Sequence, residues 1–228
     1  MTIKICVFDA YGTLFDVGAA ARIAAGEDGR DALAAKWPEV AEYWRQKQLQ
    51  YTWLRAVTDN HTDFWSVTKD GLDWALERTG LGDDLELRER LLALYWELQV
   101  YKEVPMMLAQ LKAAGLQTAI LSNGAPDMLD GAVSSAGIET FLDAVLSVED
   151  VGVFKPDAKV YQMVLDRFEC TTEEVLFVSS NGWDAASASG FGFQTVWANR
   201  ANEPMDRLFA EPREEVSDLT TIPAIAGV

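Results

Sequence analysis

The chain has 228 residues, 49% of them hydrophobic, and its 19 Lys and Arg against 36 Asp and Glu give a formal charge of −17. That apolar share supports a substantial core, which excludes a disordered or fibrous chain, and the length suits one ordinary domain or a core with a modest insertion. The acidic field repels polyanions, so nucleic acid is not an expected partner, and a pocket for a small anion must gather positive groups against the global sign.

Residues 3–8 form a short apolar run rich in β-formers, too short for a signal peptide or a membrane span. The run stops at Asp9 and is followed by the turn-forming Gly12, which predicts a buried parallel strand delivering Asp9. From residue 15 to about 100 the pattern changes to long helical stretches rich in Trp, Leu and Ala, such as 38–57 and 85–98. This reads as a helical cap domain, residues 16–100, joined to the rest by crossings near Asp16 and Tyr101.

After the cap, a helix over 105–114 leads into apolar runs at 116–121, 144–146, 175–178 and 195–198. Pro156 suits the start of a helix running from Asp157 to about Phe168, because its missing N–H costs nothing there. Strands alternating with helices predict an α/β fold, a doubly wound parallel sheet forming a Rossmann-like core from residues 1–15 and 101–228. Ligands of such sheets sit at the carboxyl ends of the strands, where Asp9, Ser122 and Ser179 each follow an apolar run. Nothing in the sequence spans a bilayer. Cys6 and Cys170, placed in a buried strand and at a helix end, make no disulfide framework and fit a reducing, cytoplasmic setting.

Five motifs occur in order: DAYGTLFD at 9–16, WRQKQLQYTWLR at 44–55, SNG at 122–124, KPD at 155–157 and SSNGWD at 179–184. Together they resemble the L-2-haloacid dehalogenases of the haloacid dehalogenase superfamily. The resemblance implies hydrolysis of a small 2-halocarboxylate by water, no cofactor, no metal, and a homodimer.

A carboxylate at a strand end beside the amides of a tight turn can be held ionised as a covalent nucleophile, and Asp9 meets that description. Thr13 is placed to fix it by a hydrogen bond. Ser122 and Asn123 follow a strand where a hydroxyl and backbone amides can grip an oxyanion, and by resemblance they hold the substrate carboxylate. Lys155 favours ionised Asp9 and, by resemblance, polarises the ester carbonyl. Tyr161 matches the family's supporting tyrosine and Arg45 its halide acceptor, a role suited to the several donors of a guanidinium. Arg55 is a weaker candidate. By the same resemblance Ala10, Tyr11, Leu49, Phe64 and Trp183 border the substrate.

The expected chemistry is two displacements: Asp9 attacks the α-carbon behind the halogen, and water then attacks the ester carbonyl, turning an L-2-haloacid into a D-2-hydroxyacid. Asp184, oriented by Lys155, Ser179 and Asn181, is the expected group to position or deprotonate that water. His61, the single histidine, lies outside every motif. Three other readings compete. A magnesium-dependent phosphatase would need an acid where Tyr11 stands, to protonate the leaving oxygen, and more carboxylates than Asp184. The same nucleophile can open a strained ring such as azetidine-2-carboxylate. A non-catalytic binding module would keep ligand binding in an Asp9→Asn variant of a parent without turnover.

Overall fold

The computed structural model describes residues 2–228. The strand β1 (Ile5–Phe8) is followed by the helices α1 (Ala19–Ala25), α2 (Asp31–Ala34), α3 (Trp37–Thr58), α4 (Phe64–Thr79) and α5 (Leu85–Trp96). Then come α6 (Val104–Ala113), β2 (Gln117–Ser122), α7 (Pro126–Ala136), β3 (Ala144–Ser147), α8 (Ala158–Phe168) and β4 (Val175–Ser179). The chain closes with α9 (Gly182–Phe191), β5 (Gln194–Ala198), β6 (Glu214–Val216) and α10 (Ile222–Ala226).

The strands form one parallel sheet in the order β3-β2-β1-β4-β5-β6. Helices cover its faces, so strands such as β1 (ICVF) and β4 (VLFVS) are buried at every position and read as continuous apolar runs. The chain leaves β1 toward β2 and β3 on one side and returns to β4 on the other, which makes the carboxyl end of β1 the switch point where such sheets open a crevice. Asp9 sits there, its amide bonded to the Val178 carbonyl at 2.9 Å. This is the doubly wound α/β architecture expected from the sequence.

Boundaries differ in detail. β1 starts two residues later than the apolar run, at Ile5. α8 starts at Ala158 rather than at Asp157, which caps it by accepting from the Lys159 amide at 2.8 Å. β6 has no counterpart among the expected strands, because its sequence EEV is polar and lies largely exposed on the sheet's edge, with no apolar run to mark it.

Among α1 to α5, α3 and α4 pack closely. Gly71 of α4 faces α3 so tightly that a Cβ there would lie 3.3 Å from the backbone at Trp44 and Gln48. The Trp44 indole donates to the Thr68 carbonyl at 2.8 Å, tying the pair together. Where this helical segment leaves and rejoins the sheet, Phe15 and Val100 form an antiparallel bridge. Asp16 N bonds to Gln99 O at 2.8 Å and Tyr101 N to Leu14 O at 3.0 Å. No helix among the described residues is long and apolar enough to cross a membrane.

Candidate active site

The turn after β1 is knitted by the Ala10 carbonyl, which accepts from the amides of Leu14 at 2.9 Å and Phe15 at 3.0 Å. Ala10 itself is fully buried and is not among the residues that line the cavity. Gly12 in that turn has φ +88°, and a Cβ there would meet the Arg45 guanidinium at 2.9 Å and Ser180 Oγ at 3.0 Å. Gly12→Ala is therefore expected to cost about 1–3 kcal/mol in stability through the strained backbone and to displace Arg45. Thermal unfolding and turnover measured together check both effects.

The carboxylate of Asp9 is held on both oxygens: Lys155 Nζ donates to Oδ1 at 3.1 Å, while Thr13 Oγ1 and Asn181 Nδ2 each lie 3.1 Å from Oδ2. Thr13 is fixed in turn by the Ser180 amide, which donates to its Oγ1 at 2.8 Å, and by Arg200, which donates to its carbonyl at 2.9 Å. Arg200 lies over the Tyr101 ring at 3.6 Å and pairs with Glu103 at 2.8 Å. It was not foreseen, because its partners come from two segments roughly half the chain or more away.

Lys155 is buried between two carboxylates, with Asp184 Oδ2 at 2.9 Å. Burial works to discharge the ammonium, but the charges of Asp184 and Asp9 outweigh it and hold Lys155 protonated beyond its ordinary range. Asp184 is wholly buried, and that burial, with the Asp9 charge adding to it, pushes its carboxyl above the usual range against the pull of Lys155.

The partners of Asp184 differ in part from the expectation. Its carboxylate takes Lys155, as expected, and the Tyr161 hydroxyl at 2.7 Å; neither the Ser179 nor the Asn181 side chain bonds to it, although its amide donates to the Asn181 carbonyl at 3.1 Å. Asp184 stands in the first turn of α9 facing α8, where Tyr161 lies, whereas Asn181 caps that helix on the cavity side. Ser179 Oγ accepts from the Asn181 amide at 3.2 Å and so shapes the turn.

A cavity of about 30 Å³ opens beside Asp9, lined by Tyr11, Arg45, Leu49, Phe64, Ser122, Asn123, Lys155, Asn181 and Trp183. That is room for roughly two waters, so only a small molecule fits near the carboxylate. Arg45 reaches it from α3 and donates to Asn181 Oδ1 at 2.7 Å. Ser122 Oγ accepts from Gly124 N at 3.0 Å, which leaves its hydrogen free to donate, and Asn123 Oδ1 accepts from Lys155 N at 2.9 Å, which leaves its amide group. Thr13, Tyr161, Ser179 and Asp184 stand behind this wall.

Two further residues, Gln48 and Tyr95, also line the cavity. Gln48 shares a helix face with Arg45 and Thr52 at spacings of three and four, the one clue the sequence offers. Arg55 bonds to the Asn60 carbonyl at the exposed end of α3, and His61 pairs with Glu149 at 2.9 Å, both off the cavity. Among the described residues, no three His, Cys, Asp or Glu side chains converge as a metal would require.

Residues 3–192 match the family model described as haloacid dehalogenase-like hydrolase, and the chain belongs to that family. It is 44% identical to (S)-2-haloacid dehalogenase 1 of Pseudomonas sp. (strain CBS-3), an alignment covering 98% of this chain and 96% of that one. It is 40% identical to (S)-2-haloacid dehalogenase 4A of Burkholderia cepacia, over 97% and 94% of the two chains. Among solved structures, the L-2-haloacid dehalogenase from Xanthobacter autotrophicus with chloropropionic acid covalently bound superposes with a TM-score of 0.84 at 38% identity, covering 99% of both chains. The resemblance drawn from the motifs is thus borne out.

Proposed function

We propose that this chain hydrolyses (S)-2-haloacids to (R)-2-hydroxyacids through an ester on Asp9. The observation that carries the reading is a carboxylate at the sheet's switch point, held on both oxygens by the donors of three side chains and faced by a small cavity with Arg45 opposite. The relatives named above, one of them with chloropropionic acid covalently bound, support it.

In this reading residues 16–100 form a cap domain over a core of residues 1–15 and 101–228, and the reaction takes place at their junction. Ser122 and Asn123 take the substrate carboxylate with their free donors. An Asp9 oxygen attacks the α-carbon, the carbon–halogen bond breaks, and the halide leaves with its electron pair toward Arg45. Tyr11, Leu49, Phe64 and Trp183 enclose the alkyl part.

Water then adds to the ester carbonyl carbon, and the hydroxyacid departs with the original Asp9 oxygen. Lys155 stabilises the developing oxyanion. Asp184, whose raised affinity for protons makes it the stronger base, takes the proton from the water. Lys155 stands between Asp184 and the cavity and relays that proton, passing one from its ammonium to Asp184 as it takes up the one from the water, and the proton returns by the same path to the departing hydroxyacid oxygen. Thr13, Tyr161, Ser179 and Asn181 hold these groups in place.

Tyr11 disfavours the phosphatase reading, because halide leaves as a stable anion while a phosphate ester's leaving oxygen needs the acid that position lacks. Two free thiols, Cys6 and Cys170, support a cytoplasmic setting, and the family resemblance supports a homodimer, which sedimentation tests.

The test is halide release from L- and D-2-chloropropionate with EDTA present. Release from the L form alone, with D-lactate as product, is the expected result. No release, with phosphate-ester hydrolysis appearing on adding magnesium, would overturn the reading.

A further inference from the structure

Outside the residues given a role above, one hydrogen-bond chain runs from the helices α3, α4 and α5 to the cavity wall. Its direction can be worked out donor by donor. The Thr68 hydroxyl spends its single hydrogen on the Phe64 carbonyl at 2.8 Å. Thr68 Oγ1 can then only accept from Gln48 at 2.9 Å, which fixes the side-chain amide with its Nε2 toward Thr68. That same nitrogen donates its second hydrogen to the Tyr95 hydroxyl oxygen at 3.2 Å. Tyr95 is therefore an acceptor in this chain, and its own hydrogen has no acceptor within it.

Tyr95 lines the cavity together with Arg45, Gln48 and Asp9. Its ring is buried and clamped between Trp44, at 5.0 Å, and Tyr11, with which it stacks at 5.5 Å. Tyr11 adds a second observation: its hydroxyl is buried and has no hydrogen-bond partner among the described residues. A buried hydroxyl without an acceptor is costly, so an unspent donor on a cavity wall points to a ligand that accepts there. Burial pushes the Tyr95 phenol up to about 12, which keeps it a neutral donor across the working range.

Tyr95 stands on the helical side of the cavity, with Arg45, whereas Ser122, Asn123 and Lys155 form the sheet side. We infer that the Tyr95 hydroxyl donates to the departing halide beside Arg45, with Gln48 as the positioning residue that turns its hydrogen toward that anion. The inference rests on the dehalogenase reading and deepens it. As the carbon–halogen bond breaks, the charge gathering on the halogen meets a guanidinium and a fixed phenol, and no proton changes hands. Chloride accepts a hydrogen bond more strongly than bromide and is the poorer leaving group, so the donor contributes most to carbon–chlorine cleavage.

Tyr95→Phe keeps both ring contacts and removes only the hydroxyl. Its kcat/KM is expected to fall about tenfold on L-2-chloropropionate, the factor of one hydrogen bond of ordinary strength, and clearly less on L-2-bromopropionate. Chloride, titrated as sodium chloride against the intrinsic fluorescence of the parent and the variant, is expected to bind the variant several-fold more weakly, while propionate inhibits both alike. Gln48→Leu, which frees the phenol to turn, should show the same halogen-dependent loss to a smaller degree. Equal falls on both substrates with unchanged chloride binding would overturn the inference and leave Tyr95 a packing residue. A parent that releases no halide from either acid would instead sink the dehalogenase reading, and the chloride titration would then decide the anion site by itself.

Discussion

Asp9→Asn is expected to abolish halide release, lowering kcat on the order of 10⁴- to 10⁶-fold, as loss of a nucleophile does elsewhere. An amide of the same shape keeps a carbonyl toward Lys155 but presents an NH₂ where Asn181 Nδ2 now donates at 3.1 Å, so two donors face each other. That mismatch costs about 1–3 kcal/mol, a loss that lowers the melting temperature without unfolding the chain. The role of Asp9 can be read directly in the parent by a single turnover in ¹⁸O-water with enzyme in excess. Because water adds to the ester carbonyl, the label should appear in the Asp9 carboxylate and not in the hydroxyacid. Label in the product after one turnover would mean that water attacks the α-carbon itself, and the covalent route would be lost.

What the sequence showed of this site follows from burial and locality. Asp9 was legible because a strand buried on both faces is an unbroken apolar run, and the first polar residue after it lies at the strand's carboxyl end. Ser122 and Ser179 stood out for the same reason, as polar ends of buried strands. The edge strand β6 carries no such mark, since an exposed polar segment looks like a loop until its neighbour pairs with it.

Gln48 and Tyr95 escaped because their meaning is a matter of partners 20 and 47 residues apart, on three helices whose packing no local pattern states. A glutamine among WRQKQLQ reads as solvated helix surface. Only the close approach of α4, allowed by Gly71, buries it. For Asp184 the expected partners are Lys155, which does bond to it, and its sequence neighbours Ser179 and Asn181, whose side chains do not. Its second carboxylate partner is Tyr161 of α8, because a helix turns successive side chains away from one another by about 100° and points Asp184 away from Asn181.

The central cation of that arrangement sets the second large effect. In Lys155→Met, Asp9 and Asp184 lose the ammonium that both share, and breaking such a buried pair costs about 3–5 kcal/mol. For a chain of this length that lowers the melting temperature by roughly 6–20 °C, and turnover is lost with the oxyanion partner. The pH dependence follows from the direction of the shifts. Lys155 binds its proton more tightly folded than unfolded, so its contribution in the parent is complete at neutral pH and is lost only as pH rises through its folded value, in the alkaline range. Asp184 is already raised by burial and by Asp9, and losing the ammonium raises it further. Above the ordinary Asp range, near 3.9, the folded variant therefore holds a proton that the unfolded chain has released, and its stability falls as pH rises through that window. Urea unfolding of parent and variant at pH 5 and pH 8 tests this: the deficit of the variant should be smaller at pH 5. An equal deficit at both values would mean that Asp184 does not take up the proton, and that the charge left by Lys155 is compensated by some other group.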